Sequence, residues 1–346
     1  MKHQTTRYGE IPFYKIGTFG NTADAFISKK LFLEYKTKYS FPKKGDILIS
    51  ASGTIGRAVI YDGKPAYFQD SNIVWIDNDE TLVKNDFLFY AYSNVKWNTE
   101  HTTILRLYND NFRNTLIPLP PLNEQSAIAN ILGALDRYLC ALDALILKKE
   151  GVKKALSFEL LSQRKRLKGF NQAWQRVRLG DIANYLTSNL SVEQITQQGE
   201  IKVYDVNNFI GYTDTTFISD KPYISIVKDG SVGRVRILPP KTNILSTMGA
   251  LIANHRTTTE FLFYLLSNFD FKNFTSGSII PHIYFKDYKE KTIFLPPLNE
   301  QSTIANILSA LDNEIASLKN KKRQFENIKK ALNHDLMSAK IRVLEK

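Results

Sequence analysis

The chain has 346 residues, 43% of them hydrophobic, and a formal net charge of +12. That is enough for two or more domains with buried cores, while no apolar run of about 18 residues is present to cross a bilayer and the opening MKHQTTRYGEIPFYKIG lacks the apolar centre of a secretory leader. The single cysteine, Cys140, excludes an internal disulfide and fits a reducing cytoplasm, and the basic surplus points to a polyanion such as nucleic acid, with solvated lysine-rich helix surfaces as the plainer reading.

From GEIPFYKI at 9–16 onward, short alternating runs bounded by Gly, Asp and Pro predict strands and turns: DILISA, AVIYD and NIVWID. SGTIGRA at 52–58 reads as a glycine-rich hairpin, and FLFYAYSN predicts a short amphipathic helix. After the loop ILRLY at 104–108, Pro120 and Pro121 end the strand pattern. Asn123 is then the expected N-cap of a helix, with Glu124 placed to favour its dipole. Two seven-residue rows follow, apolar except for one lysine in each: Ile128, Leu135, Leu142, Lys149 and Leu156, and Leu132, Leu139, Ile146, Lys153 and Leu160. They predict a helix from Asn123 to Leu167, ~65 Å long, loosened midway by Gly151 and the flanking lysines.

The second half runs the same way. GEIKVYDV at 199–206, DGSVGRV at 229–235, FLFYLLSN and IPHIY at 280–284 lead to Pro296, Pro297, Asn299 and Glu300. The seven-residue rows follow as Ile304, Leu311, Leu318, Phe325 and Leu332, and Leu308, Ile315, Lys322, Lys329 and Leu336. Windows 119–136 and 295–312 differ only at Ala127/Thr303 and Gly133/Ser309. Five landmarks recur in one order at separations of 174 to 190 residues, so the chain is a tandem duplication. Stripes this long need burial. The economical solution pairs the two helices antiparallel about an internal pseudo-twofold; the alternative packs each helix on its own β-rich domain. Lysines inside the stripes predict a wet edge, or an edge left for another protein.

The expected fold class is α+β: two mixed α/β domains joined by two long antiparallel coiled-coil helices. The expected boundaries are 1–120, 121–168, 169–296 and 297–346. The phrases LPPLNEQSAIANILGALD and LPPLNEQSTIANILSALD, with GDILISASGTIGRAVI and SGSIIPHIYFKD in support, resemble the specificity (S) subunits of type I DNA restriction–modification systems across essentially the whole chain. The resemblance implies two target recognition domains, each reading half of a split double-stranded DNA site. It implies a helical spacer on which methyltransferase (M) subunits dock, two of them, with restriction (R) subunits joining through M. It also implies a cytoplasmic, non-catalytic chain without a cofactor of its own, S-adenosylmethionine belonging to the methyltransferase partner. On this reading Ile128, Leu135, Leu142, Leu156, Ile304, Leu311, Leu318, Phe325 and Leu332 serve the coiled coil and partner docking.

DNA sequence is read by side chains at base edges, while cations on phosphates position the protein. Candidate readers are the hairpin residues Ser52, Thr54 and Arg57, matched in the second half by Ser231 and Arg234 with the flanking Lys228 and Arg236. A second loop adds Arg106, Tyr108, Asn109 and Asn111, matched by His282 and Tyr284. Plain hairpin turns with solvent-facing arginines, and loops with buried tyrosines, are the structural alternatives. The basic run Arg164, Lys165, Arg166 and Lys168 reads as a solvated helix end, and Cys140 as packed. His101, His255, His282 and His334 lack metal-ligand spacing. No Asn/Asp-Pro-Pro-Tyr/Phe stretch of an adenine methyltransferase and no Gly-x-x-x-x-Gly-Lys-Ser/Thr loop of a motor ATPase occurs. About 25 residues, AWQRVRLGDIANYLTSNLSVEQITQQ, precede the landmark of the second half without a counterpart in the first. The first recognition domain is therefore expected to be short at its N-terminus. That keeps a truncated or silent specificity cassette, and a structural coiled-coil adaptor, as alternatives.

Overall fold

A computed structural model describes residues 4–68, 72–97 and 106–344. The chain divides into one unit of Met1–Asp143 with Asn320–Lys346, and a second of Ala144–Lys319. Ile104 and Leu105 of the ILRLY landmark, and His101, lie outside the described residues.

In the first unit the strands are β1 (Ile11–Tyr14), β2 (Ala25–Ile27), β3 (Ile47–Ser50), β4 (Ala58–Ile60), β5 (Tyr67–Phe68) and β6 (Ile73–Ile76). Helix α1 (Lys29–Lys38) follows β2, and α2 (Asn85–Asn94) and α3 (Asn109–Arg113) follow β6. One sheet has the order β2-β1-β5, with β2 antiparallel and β5 parallel to β1. The other, β4-β3-β6, is antiparallel, and its central strand is buried at every residue. The long helix α4 (Leu122–Leu161) follows.

The second unit has β7 (Gln175–Arg178), β8 (Ala183–Thr187), β9 (Ile201–Tyr204), β10 (Phe209–Thr213), β11 (Tyr223–Val227), β12 (Val235–Leu238), β13 (Thr242–Ile244) and β14 (Met248–Ala253). Then come α5 (Thr259–Ser267), β15 (Thr275–Ser276), β16 (His282–Ile283), α6 (Phe285–Tyr288), β17 (Thr292–Leu295) and the long helix α7 (Leu298–Met337). The topology repeats: β10-β9-β13 copies β2-β1-β5, and β12-β11-β14 copies β4-β3-β6. Among the described residues, only the second unit carries a strand beyond β14, namely β8, and a β7–β17 pair.

Within each unit one end of α4 lies antiparallel to one end of α7. In the first, Ile128 and Leu132 share a core with Leu332, Leu336 and Met337, and the Tyr138 and Phe325 rings stand 4.7 Å apart. In the second, Leu156 and Leu160 meet Ile304 and Leu308. Every position of both seven-residue rows on both helices is buried or half-buried. The helices therefore pair as expected, and each also packs on its own domain through Phe87 and Tyr90, or Phe261 and Tyr264.

Three local expectations are corrected. Helix α4 runs unbroken through Gly151 and stops at Leu161. Tertiary burial of the stripe outweighs the ~1 kcal/mol helical cost of one glycine. Asn123 lies inside the first turn rather than capping it; its Oδ1 accepts the Glu124 amide at 2.9 Å, and the Gln125 amide donates to the Pro121 carbonyl. The stripe lysines stay half-buried and face carboxylates of the opposite helix. Lys149 pairs with Glu314 at 2.8 Å, Lys153 with Asp312 at 2.5 Å, Lys322 with Asp143 at 2.7 Å, and Lys329 with Asp136. A long methylene stem covers the seam while the ammonium reaches the opposite helix. Cys140 is exposed, not packed.

The repeated LPPLNEQS phrase is a clamp. Gln125 and Gln301 are fully buried. Gln125 Nε2 donates to the Leu82 and Pro120 carbonyls, and its Oε1 accepts the Lys84 amide at 2.8 Å. Gln301 Nε2 donates to the Arg256 and Pro296 carbonyls, while its Oε1 accepts from the Thr258 amide and the Thr257 hydroxyl. One amide thus ties the start of α4 or α7 to the start of α2 or α5, and only a side chain with both donors and an acceptor satisfies all these groups. The neighbouring glutamates are also buried. Glu300 accepts from Arg166 at 2.7 Å and from the Trp174 indole at 2.9 Å, so Arg166 is an internal ion-pair partner rather than part of a solvated helix end. Glu124 pairs with Arg342 at 2.8 Å, which holds its carboxyl below the usual carboxylate range.

Candidate nucleic-acid interface

In each unit the turn joining an inner strand to the edge strand beside it, β3 to β4 or β11 to β12, is built on the same two glycines. Gly53 and Gly56 have φ of 68° and 79°, and Gly230 and Gly233 have φ of 82° and 80°. Such left-handed angles favour glycine. The backbone bonds repeat as well: the Gly56 amide donates to the Ser50 carbonyl and the Gly233 amide to the Val227 carbonyl, each at 2.9 Å. A methyl group at Gly233 would lie 2.6 Å from the Phe271 ring, and one at Gly56 would strike the Trp97 indole. These glycines therefore let an aromatic ring press against the turn from beneath.

The second loop is fastened to this hairpin in both units. Ser52 and Arg106 form an isolated antiparallel bridge, and so do Asp229 and His282. The Leu107 amide donates to the Ala51 carbonyl at 2.8 Å, and the Ile283 amide to the Lys228 carbonyl at 2.9 Å. Residues about 50 positions apart in sequence thus reach one surface.

On that frame the side chains differ. In the first unit Thr54 and Arg57 are exposed, and one Arg57 nitrogen donates to the Phe19 carbonyl at 2.9 Å. A guanidinium carries five N–H donors, so this bond orients the group and leaves others for a ligand. The Arg106 guanidinium lies 5.8 Å from the centre of the exposed Tyr108 ring. Asn109 is exposed, whereas Asn111 Oδ1 accepts the Tyr108 amide at 2.6 Å and so shapes the loop. Ser52 is buried, its hydroxyl donating to Asn72 Oδ1 at 2.8 Å.

In the second unit Ser231, Arg234 and Arg236 are exposed and Lys228 is half-buried. Arg234 donates to Asn207 Oδ1 and Arg236 to the Asn207 carbonyl, both at 3.0 Å. Arg236 also lies 5.2 Å from the centre of the Tyr204 ring. His282 Nδ1 lies 2.7 Å from Asp229 Oδ1 and its ring stacks 6.5 Å from Tyr284, whose other neighbour is the Lys286 ammonium at 5.4 Å. Tyr108 and Tyr284, for which burial was the structural alternative, are 44% and 50% exposed. Cations over aromatic rings at an exposed loop suit a phosphate backbone and base faces.

Three contributors escaped the sequence: Asn207, which aligns two arginines, and Asp229 and Lys286. The run DVNNF carried a signal for the first. Asp205 Oδ1 accepts the Asn207 and Asn208 amides at 2.7 and 2.6 Å, a turn in which an acidic side chain satisfies its own backbone. Among the described residues no group of three or more His, Cys, Asp or Glu could hold a metal ion, and no helix is long and apolar enough to cross a membrane.

Relatives share both sequence and fold. A putative type I restriction enzyme specificity subunit of Haemophilus influenzae is 65% identical over 137 residues, 39% of this chain and 36% of that protein. The chain therefore spans about a third of that relative's length in the match. A putative type I restriction enzyme MjaX specificity subunit of Methanocaldococcus jannaschii is 27% identical over 86% of this chain and 79% of its own length. The crystal structure of a type I restriction–modification S subunit from M. genitalium superposes with a TM-score of 0.64 at 20% identity, covering 97% of this chain and 91% of that one. That likeness concerns the fold. Residues 1–149 and 171–327 match the type I restriction modification DNA specificity domain, and the chain belongs to that family.

Proposed function

We propose that the chain is the DNA-reading specificity subunit of a type I restriction–modification complex and performs no catalysis itself. Each unit reads one half of an asymmetric, bipartite site in double-stranded DNA. The observation that carries this reading is one hairpin-and-loop frame built twice with unlike side chains: Arg57, Arg106 and Tyr108 on one copy, Arg234, Arg236, His282 and Tyr284 on the other. An identical frame presents each surface to the duplex in the same way, and different side chains select different base edges.

The paired helices are the docking place for methyltransferase subunits, two of them, since α4 and α7 open with nearly the same sequence. Restriction subunits join through the methyltransferase. S-adenosylmethionine is bound by that partner, and the complex works in the cytoplasm.

The test is a titration of the chain, assembled with its methyltransferase, against DNA carrying or lacking the bipartite site. Replacing Arg234 by Ala should weaken specific binding by ~1–3 kcal/mol, about 5- to 150-fold, if the arginine contacts a base edge. If it contacts a phosphate, all sequences should weaken alike and the salt dependence should become shallower. Binding that is strong, steeply salt-dependent and blind to sequence would reject the specificity role in favour of a structural adaptor.

A further inference from the structure

The two units differ in what covers one tyrosine. In the second, Tyr204 ends β9, and the Arg236 guanidinium lies over its ring at 5.2 Å. Arg236 stands on β12, three residues after Gly233, and pairs with Ser225 of β11. In the first, Tyr14 ends β1 in the matching phrase. Three residues after Gly56 stands Val59, which pairs with Leu48 of β3. A short aliphatic side chain thus holds the position that a long cationic one holds in the second unit. The stretch ahead of β9 does not cover Tyr204: its Leu190 and Ile195 pack with Val203 and Leu245, whereas Tyr204 packs with Tyr223, Val227 and Ile244. Successive residues of a strand face opposite sides, so the ring is covered by the hairpin's own arginine.

In the first unit a cavity of about 610 Å³ lies at this place, walled by Tyr14, Phe19, Leu48, Val59, Tyr61 and Phe68. Tyr14 and Phe68 are half-buried and lie side by side, their ring centroids 5.7 Å apart and their planes at 15°. Glu10, Asp62 and Lys64 also line the cavity. Lys64 Nζ pairs with Asp62 at 3.3 Å. Glu10 Oε2 accepts only a backbone amide, that of Lys29 at 3.0 Å, so Glu10 carries the surplus negative charge. Strands β1 and β5 are parallel, with Phe13 opposite Tyr67, so Glu10 and Lys64 lie at the end where both strands begin. Tyr14 is ~13 Å further along β1, at ~3.3 Å per residue. The cavity therefore has an aromatic end and an anionic end, in a chain whose net charge is +12.

We propose that this cavity binds a small organic cation ending in a planar guanidinium. The guanidinium lies on Tyr14 as that of Arg236 lies on Tyr204, and the rest of the molecule runs toward Glu10. A delocalised planar cation is held by aromatic faces, and a second cationic group by a carboxylate. The surplus carboxylate disfavours a phosphate-bearing ligand. The volume is that of a small-molecule site. Phe19, whose carbonyl holds Arg57, forms one wall, so the ligand sits directly behind the hairpin arginine. The inference rests on the internal repeat and is independent of DNA reading.

The experiment titrates agmatine, a guanidinium joined by a short alkyl chain to an ammonium, into the 346-residue chain and follows the ligand by NMR. Putrescine, which lacks the planar group, and an arginine capped at both ends, which lacks the ammonium, are compared. The proposal expects saturable agmatine binding with a Kd of ~1 mM or below, and binding about 10-fold weaker for putrescine. Tyr14→Leu should weaken agmatine by about 10-fold, while Tyr14→Phe should retain it. Val59→Arg supplies a guanidinium from within, as the second unit does, and should abolish binding. Circular dichroism checks the fold of each variant, and the comparison of ligands on the parent chain holds even where a variant fails to fold. Agmatine that does not saturate, or putrescine that binds as well, would overturn the proposal. So would undiminished affinity in a folded Tyr14→Leu or Val59→Arg chain. Tighter binding of the capped arginine would overturn the small-molecule assignment in favour of a partner's arginine side chain.

Discussion

Replacing residues 171–294 by the matching segment of another specificity subunit should change one half of the methylated site and leave the other half as it was. The segment holds the whole hairpin-and-loop frame of the second unit, from β7 into β17. It leaves in place the Gln125 clamp and the Arg342–Glu124 pair of the first unit, and the helix α7. One mismatched base pair costs ~1–3 kcal/mol, about 5- to 150-fold, so a changed half-site is readily detected by sequencing methylated DNA. The incoming segment must bring an N–H donor to the place of Trp174, because Glu300 remains beneath it. A swap that folds and leaves both half-sites unaltered would show that the units do not read separately.

The second large effect is expected at Glu300. Its carboxylate has no solvent exposure and accepts from Arg166 and from the Trp174 indole. Glu300→Ala leaves a three-quarters-buried guanidinium and a buried indole N–H without their acceptor. Removing one member of such a pair costs ~3–5 kcal/mol, mostly as the penalty on the charge left behind. Glu300→Gln retains an acceptor for the indole and should cost less. Urea unfolding, followed by circular dichroism, measures both. A Glu300→Ala chain as stable as the parent would show that the clamp contributes nothing to holding the second unit on α7.

Much of this architecture was legible because it rests on periodicity. Seven-residue spacing gave both long helices and the buried rows, and alternation gave β3, β4 and β6. Exact repetition located the clamp phrase, although its meaning stayed hidden. Gln125 and Gln301 act on carbonyls and amides more than 40 positions away, a distance over which sequence spacing says nothing about geometry. The partners of the stripe lysines were hidden for a related reason. Whether Lys329 faces water or Asp136 depends on the antiparallel register, which no single helix encodes. Helix α1 escaped notice because KKLFLEYKTK is polar on average and buries only Phe32; Ser28 starts it by accepting the Leu31 amide. At the candidate interface the turn glycines were legible, since left-handed backbone leaves a residue-type signature. The bridges Ser52–Arg106 and Asp229–His282 were not, because they join loops through tertiary packing alone.

The account turns on two unlike readers carried by one chain. Its most direct test is to map methylated bases across the DNA of cells that express this chain with its methyltransferase. Methylation at one bipartite motif, two unlike specific blocks separated by a fixed run of unspecified bases, is the predicted result. A single continuous motif, two identical blocks, or no motif in the presence of an active methyltransferase would contradict it.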